Sequence, residues 1–392
     1  MIVGCGESSP DAQSTDVPVF QAAVPEPAAT EDDVGATPDE DAVNPPAEMP
    51  SETTNEGGVG GDIVLEPTEG DATDPAGDDG MPADPEAVDP GTVEPEPPVP
   101  TGPPPKFVGN ITTGNSLDTN GLTFSDYWDQ VTPENAGKWG SVQRNAGAAF
   151  NWGALDAIYD YAEQKGIVFK EHTFVWGAQQ PTGNLTQADV QNWMREFCTR
   201  YPRTRLIDVV NEPPPHTEPS YANAIGGGTN GDWQWIANAF TWAREYCPNA
   251  TLILNDYNNI EIGNQNQHFI DIVRAIQSRG APIDAVGAQA HGLSNANNPA
   301  NMIALLTKLH DDTGLPVYIT EYDINQNDDA TQRSRFEQQF RFFLDTEWIQ
   351  GVTVWGWIFG RTWVASSGLI RDGEPRPAMV WLMEELGRPV PQ

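Results

Sequence analysis

The sequence predicts an α/β fold, a (β/α)₈ TIM barrel over Lys106–Gln392, preceded by a long acidic tail. Three observations point there. From Lys106 onward, strand-like and helix-like stretches alternate, as a parallel sheet with crossover helices requires. Eight strand-like stretches fit into 287 residues, close to the ~250 that one barrel takes. Nearly every such stretch ends in a polar group, and in a barrel those ends share one rim, the rim that carries the chemistry. The competing architecture, a doubly wound open sheet, is disfavoured because no Gly-rich phosphate loop follows the first strand.

The strands are expected at Phe107 to Thr112, Tyr127 to Thr132, Val168 to Phe174, Leu206 to Val210, Leu252 to Asn255, Ala285 to Ala288, Val317 to Thr320 and Val352 to Trp355. Helical patterns fill most gaps, at Trp152 to Gln164, Gln187 to Arg200, Asp232 to Tyr246, Gln265 to Arg279, Asn298 to His310, Gln332 to Phe343 and Ala378 to Glu385. Two strands stop at a carboxylate. Ile207-Asp208-Val209-Val210 runs straight into Asn211-Glu212-Pro213, where proline forbids further strand. Pro316-Val317-Tyr318-Ile319-Thr320 runs into Glu321, with Asp323 beyond. The other strand ends add Glu134, Asn135 and Lys138, then His172, Trp176 and Gln179, then Asn255, Asp256 and Tyr257, then Gln289 and His291, and last Trp355 and Trp363.

The charge is unevenly spread. Met1–Pro105 has 25 Asp plus Glu and no Lys or Arg, so it supplies 25 of the 37 net negative charges. It holds no Trp or Tyr and a single Phe, Phe20. Such a segment buries too little apolar surface to offset its ordering entropy, so it is expected to be a disordered, self-repelling Pro-rich spacer rather than an acidic interaction tail. The charge also argues against nucleic acid as a partner. Ile2-Val3-Gly4-Cys5 looks like the end of a bacterial lipoprotein signal whose Cys5 would be acylated to tether the chain to a membrane at the cell surface. Only four residues precede it, with no basic or long apolar region, so the start codon is misplaced or the likeness is chance; the reading leans to the anchor. No later segment is long and apolar enough to span a bilayer. Cys198 and Cys247 each sit near a predicted helix end, as a disulfide or as two buried thiols. No Cys/His spacing suggests a metal, and a monomer is expected.

Two glutamates on two strand ends facing one cleft suit glycoside cleavage, which needs a proton for the leaving oxygen and a carboxylate for the anomeric carbon. Glu321, with His291 and Asn211 as expected hydrogen-bonding neighbours, would be the ionised one, and Asp323 would orient His291. Glu212, near tryptophans and facing a second carboxylate, would be the protonated one. Trp355 and Trp363 offer flat faces to sugar rings, while Glu134, Asn135, Lys138 and Gln179 offer a hydrogen-bonding patch for a non-acidic sugar.

Residues 106–392 resemble the xylanases of glycoside hydrolase family 10. The likeness is carried by Asp208-Val209-Val210-Asn211-Glu212-Pro213, Ile319-Thr320-Glu321-Tyr322-Asp323-Ile324, Thr132-Pro133-Glu134-Asn135 with Lys138-Trp139, His172-Thr173-Phe174-Val175-Trp176, Asn255-Asp256-Tyr257-Asn258, Gln289-Ala290-His291, and Val354-Trp355-Gly356 with Trp363. It implies a retaining endo-1,4-β-xylanase acting on xylan or xylo-oligosaccharide, with no metal or organic cofactor. Glu212 would be acid/base and Glu321 nucleophile. Glu134, Asn135, Lys138, His172, Trp176, Gln179, Asn211, Gln289, His291, Trp355 and Trp363 would line the glycone subsites, and Tyr257 would also bind substrate. The sequence departs from the family at Gly177, where many members carry His and where the loss would widen the cleft or remove a donor, and near Arg361, where many carry Asp and where the leaving-group side would change. Pro213-Pro214-Pro215 stiffens the loop past Glu212. Two other readings stay open. A related β-1,4-glycanase differs only in tolerating one hydroxymethyl group, ~1–3 kcal/mol. A catalytically dead sugar-binding barrel is opposed by the presence of both glutamates.

Overall fold

The computed structural model describes residues 98–114, 117–227, 232–296 and 298–392. The readings made on residues 1–97, the acidic spacer and the acylated Cys5, lie outside the described residues. Eight parallel strands close into a barrel in sequence order: β1 (Phe107–Ile111), β2 (Gln130–Thr132), β3 (Val168–Val175), β4 (Leu206–Asn211), β5 (Thr251–Asp256), β6 (Ala285–Ala288), β7 (Val317–Tyr322) and β8 (Ile349–Val354). The ring shuts where Phe107 pairs with Gly351 and Asn110 with Val354. A one-turn α1 (Trp139–Val142) follows β2, and the crossovers are α2 (Gly153–Lys165), α3 (Gln187–Arg200), α4 (Gln234–Tyr246), α5 (Gly263–Ser278), α6 (Ala300–Thr313) and α7 (Asp329–Asp345). A small hairpin of β9 (Ile370–Arg371) and β10 (Glu374–Pro375) precedes α8 (Pro377–Leu386).

The barrel is thus as the sequence predicts, with shifted boundaries. The second strand begins at Gln130 rather than Tyr127, because the aromatic residues before it serve another layer. Tyr127 and Trp128 pack on Trp357, whose ring lies 5.8 Å from each. The last strand ends at Val354, leaving Trp355 just beyond it, its N–H donating to the Tyr322 carbonyl at 2.8 Å. Local signals set the helix ends. Thr186 and Asp189 form a capping box on α3, and Asp328 caps α7.

Inside the barrel the side chains are layered. Phe107, Leu206, Ile253, Ala285 and Tyr318, from the early parts of their strands, make an apolar plug. Above it the buried residues turn polar, with Gln130 bonded to Thr132 and Thr353 at 2.7 and 2.8 Å and Lys170 paired with Asp208 at 2.6 Å. The outer layer between sheet and helices is mainly apolar, with a few buried polar side chains such as Gln339, which accepts from the Tyr322 hydroxyl at 2.9 Å. Cys198 and Cys247 form a disulfide joining the ends of α3 and α4, which decides between the two alternatives. Lys106 donates to the carbonyls of Phe343, Leu344 and Thr346 at 2.7–2.8 Å, satisfying the C-terminal end of α7. Among the described residues no helix is long and apolar enough to cross a membrane.

Candidate active site

The two carboxylates sit where β4 and β7 end, at the same mouth. Glu212 follows the last residue of β4 with φ 51°, in the left-handed region, and its N–H donates to the Asn255 carbonyl at 2.8 Å. A non-glycine residue in that region is held there by its surroundings. One Glu212 oxygen accepts from Trp176 Nε1 at 2.8 Å and the other from Gln289 Nε2 at 2.9 Å. Gln289 Nε2 also approaches Asn211 Oδ1 at 3.4 Å. Asn255 Nδ2 then donates both to Asn211 Oδ1 and to Glu321 Oε1, each at 2.8 Å. An unbroken chain of side-chain hydrogen bonds therefore joins Glu212 to Glu321. Its orientation is fixed at Asn255, whose Oδ1 accepts from Thr320 Oγ1 at 2.6 Å, turning Nδ2 toward the two acceptors. The amide fits because residue 287 is glycine; a Cβ there would collide with Asn255 Oδ1. This corrects one expectation: Asn211 reaches Glu321 only through Asn255.

Burial alone would raise the pKa of Glu321, which is 4% exposed. The field of His172, the hydrogen bond and charge of His291, and the field of Lys170 outweigh it and hold Glu321 at about 2. His291 Nε2 donates to Glu321 at 3.3 Å while Nδ1 donates to Asp323 at 2.7 Å, as expected. Burial disfavours the imidazolium, yet these two carboxylates carry it to about 10. Beneath them His172 Nδ1 donates to Asp208 at 2.9 Å, the same carboxylate that Lys170 pairs with.

The patch expected for the neighbouring sugar is assembled from β2, β3 and β8. Lys138 Nζ donates to Asn135 Oδ1 at 3.0 Å and stands 5.0 Å from the Trp176 ring centroid. Burial lowers the Lys138 pKa, opposed by Glu321, Glu134 and Glu212. Burial raises that of Glu134, opposed by Lys138. Gln179 lies on the loop after β3 at φ 44°, its carbonyl accepting from Gly140 N–H at 2.8 Å. The Trp355 ring is buried edge-on against His172 and His291, at 5.5 and 6.2 Å. Trp363, 4.7 Å from the His291 ring, is 49% exposed, so it is the one of the two that shows a broad apolar surface to solvent.

On the β5 side, Tyr257 is stacked by a residue that the sequence reading missed. The His216 ring lies 3.8 Å from it at 16°, donating from Nδ1 to Asp256 Oδ1 at 2.7 Å and from Nε2 to Gln265 Oε1 at 2.9 Å. The available signal was a histidine four residues past Glu212 in a chain with five. Two other expectations change. Gly177 leaves no widened cleft, because a Cβ there would meet Thr217 Cβ at 2.7 Å and Glu218 N at 2.9 Å; the loop after β4 fills the space. Arg361 donates to Thr119 Oγ1 at 3.3 Å, so it ties the loop after β8 to that after β1 rather than facing the β5 side. Among the described residues, no cluster of three His, Cys, Asp or Glu is placed to hold a metal.

Comparison with known proteins gives one family. The model for glycosyl hydrolase family 10 matches residues 106–384. The chain is 44% identical to endo-1,4-beta-xylanase B of Cellvibrio japonicus over 286 residues, 71% of this chain but 45% of the relative. It is 31% identical to endo-1,4-beta-xylanase 1 of Gibberella zeae over 287 residues, 66% of this chain and 79% of the relative. The chain thus spans under half the length of the first of these relatives. Among solved structures, the family 10 protein of Paenibacillus barcinonensis superposes with a TM-score of 0.64 at 21% identity, covering 73% of this chain and 96% of that one. Xylanase 10B of Thermotoga petrophila in complex with xylobiose gives 0.62 at 22%, covering 72% and 93%.

Proposed function

The chain belongs to glycosyl hydrolase family 10, and on that premise we propose that it is a retaining endo-1,4-β-xylanase. Glu212 protonates the glycosidic oxygen while Glu321 attacks the anomeric carbon. Water then cleaves the glycosyl ester, with Glu212 taking the water's proton. One observation carries the assignment: both glutamates end barrel strands at one mouth and are joined by the chain Glu212–Gln289–Asn211–Asn255–Glu321. Their surroundings divide the roles. Glu321, held at about 2, is ionised at neutral pH, as a nucleophile must be. His291 and Asp323 keep it so. Glu134, Asn135, Lys138, His172, Trp176, Gln179, Trp355 and Trp363 bind the sugar on the glycone side, and Tyr257 binds the departing one. No metal or organic cofactor enters this scheme.

The chain divides, on this reading, into the spacer and the catalytic barrel expected over residues 1–105 and 106–392, with residues 98–105 tied to the barrel through Arg203 and Arg205. A disulfide between Cys198 and Cys247 fits export to an oxidising compartment, with the spacer holding a monomeric enzyme away from a surface to which Cys5 anchors it.

The test is Glu321→Ala. The variant is expected to fold with an unchanged circular dichroism spectrum and to lose hydrolysis of soluble xylan by at least about 10⁴-fold. With the wild type, the first product seen by NMR is the β-anomer. Comparable turnover by the variant, or an α-anomer released first, overturns the proposal. Faster cleavage of cello- than xylo-oligosaccharides overturns the substrate assignment alone.

A further inference from the structure

Each catalytic glutamate has a histidine–carboxylate pair near it, but only one pair is used by the scheme above. His291–Asp323 touches Glu321. The other, His216–Asp256, touches neither glutamate, yet it is built with equal care. Both ring nitrogens of His216 meet oxygens, Asp256 Oδ1 at 2.7 Å and Gln265 Oε1 at 2.9 Å, so the ring is held at both ends. Its side chain is 10% exposed and that of Asp256 5%. Burial, the largest influence, opposes the charge; the Asp256 carboxylate, Gln265 and the field of Glu212 overcome it and raise the His216 pKa.

The pair lies in a defined direction. In barrel order the sugar patch described above comes from β2, β3 and β8, on one side of the line from β4 to β7. Asp256 and Tyr257 come from the end of β5, on the other side. On the xylanase reading that patch holds the retained sugar, so the departing sugar of a bond protonated by Glu212 falls on the second side. His216 lies face to face with Tyr257 there, at 3.8 Å. Its loop is tied down: Thr217 N–H and Oγ1 both donate to the Glu212 carbonyl, at 3.1 and 2.7 Å, and the same loop fills the space beside Gly177.

Resting on the xylanase reading, we propose that His216 is a positioning residue for the leaving-group side. Clamped between Asp256 and Gln265, it covers one face of Tyr257, locks that ring, and leaves the remaining face and edge to receive the departing sugar. His216 acts through Tyr257, so its loss matters only where the leaving group is a sugar that meets the ring.

The test compares His216→Ala, Tyr257→Ala, the double variant and His216→Phe on xylohexaose and on nitrophenyl β-xylobioside, whose leaving group needs no sugar contact. For His216→Ala, kcat/KM on xylohexaose is expected to fall about tenfold, the scale of one aromatic contact, mostly through KM, with a change of under threefold on the aryl substrate. The double variant is expected to be no worse than Tyr257→Ala, since coupled sites are non-additive. His216→Phe, which keeps the stack, recovers most of the loss and also serves if His216→Ala folds poorly. Equal losses on both substrates, additive losses in the double variant, or no recovery by Phe overturns the proposal. A wild type that cleaves neither substrate overturns the xylanase reading instead.

Discussion

At the residue scale, the decisive competition is between burial and neighbouring charge at Glu321. Burial wins for Asp256, which sits at about 7 despite its histidine. It loses for Glu321, at about 2, because His172, His291 and Lys170 all act on one carboxylate. Removing the His291 imidazolium removes both a hydrogen bond and a charge. His291→Gln is therefore expected to shift the acidic limb of kcat/KM from near 2 toward 4.5, the ordinary glutamate value; an unmoved limb contradicts this. Stability follows the same pair with opposite signs. The depressed Glu321 contributes above pH 4.5 and loses its contribution as pH falls through about 2. The raised His291 contributes in full below 6.5 and loses it as pH rises through about 10. Urea midpoints of wild type and His291→Gln should accordingly converge between pH 6.5 and 10. Residue type and strand-end position made Glu212, Glu321, His291 and Asp323 legible in the sequence. The bridging role of Asn255 was not, because its two acceptors lie 44 and 66 residues away. His216 was missed for a related reason: its partners come from β5 and α5, and nothing beside it in the chain announces them.

At the element scale, periodicity located all eight strands and seven of the helices, since each must bury one face against the next layer. It misjudged the second strand, where Tyr127 and Trp128 look like sheet but are claimed by Trp357. It was blind to α1 and to the β9–β10 hairpin, elements too short to show a period. Cysteine pairing was also beyond it, because adjacency of α3 and α4 is a property of the closed ring. That pairing has an energetic consequence. The disulfide closes a loop between residues 49 apart in the sequence, which in the chain-entropy account stabilises by ~4 kcal/mol, with measured values often ~2–4. Replacing Cys198 and Cys247 by serine is expected to lower Tm by about 5–10 °C by calorimetry while leaving kcat on xylan nearly unchanged, since neither residue approaches the mouth. An unchanged Tm would show that residual structure in the denatured chain already holds these two segments together, so that the cross-link removes no further entropy.

At the scale of the whole molecule, the question is where the folded domain begins. The family match starts at Lys106, and composition changes there too. Yet the structure binds chain ahead of that point. Arg203 donates to the Pro98 carbonyl at 2.9 Å and Arg205 to that of Gly102 at 3.0 Å. Pro104 is buried. Lys106 itself, though exposed, satisfies three carbonyls at the end of α7. The acidic residues before Pro98 make no such demand on composition: they carry no Lys, Arg, Trp or Tyr, so they have little to bury and nothing to pair among themselves. Two truncations therefore separate spacer from fold. A chain of residues 98–392 is expected to match the full chain in Tm and in kcat/KM on soluble xylan. A chain starting at Phe107 leaves the α7 carbonyls without their ammonium and exposes the surface under Pro104, and its Tm should fall by at least about 5 °C. Equal Tm values for the two truncations would move the boundary to Phe107, and a loss in the first would assign the acidic segment a part in the fold that its composition does not supply.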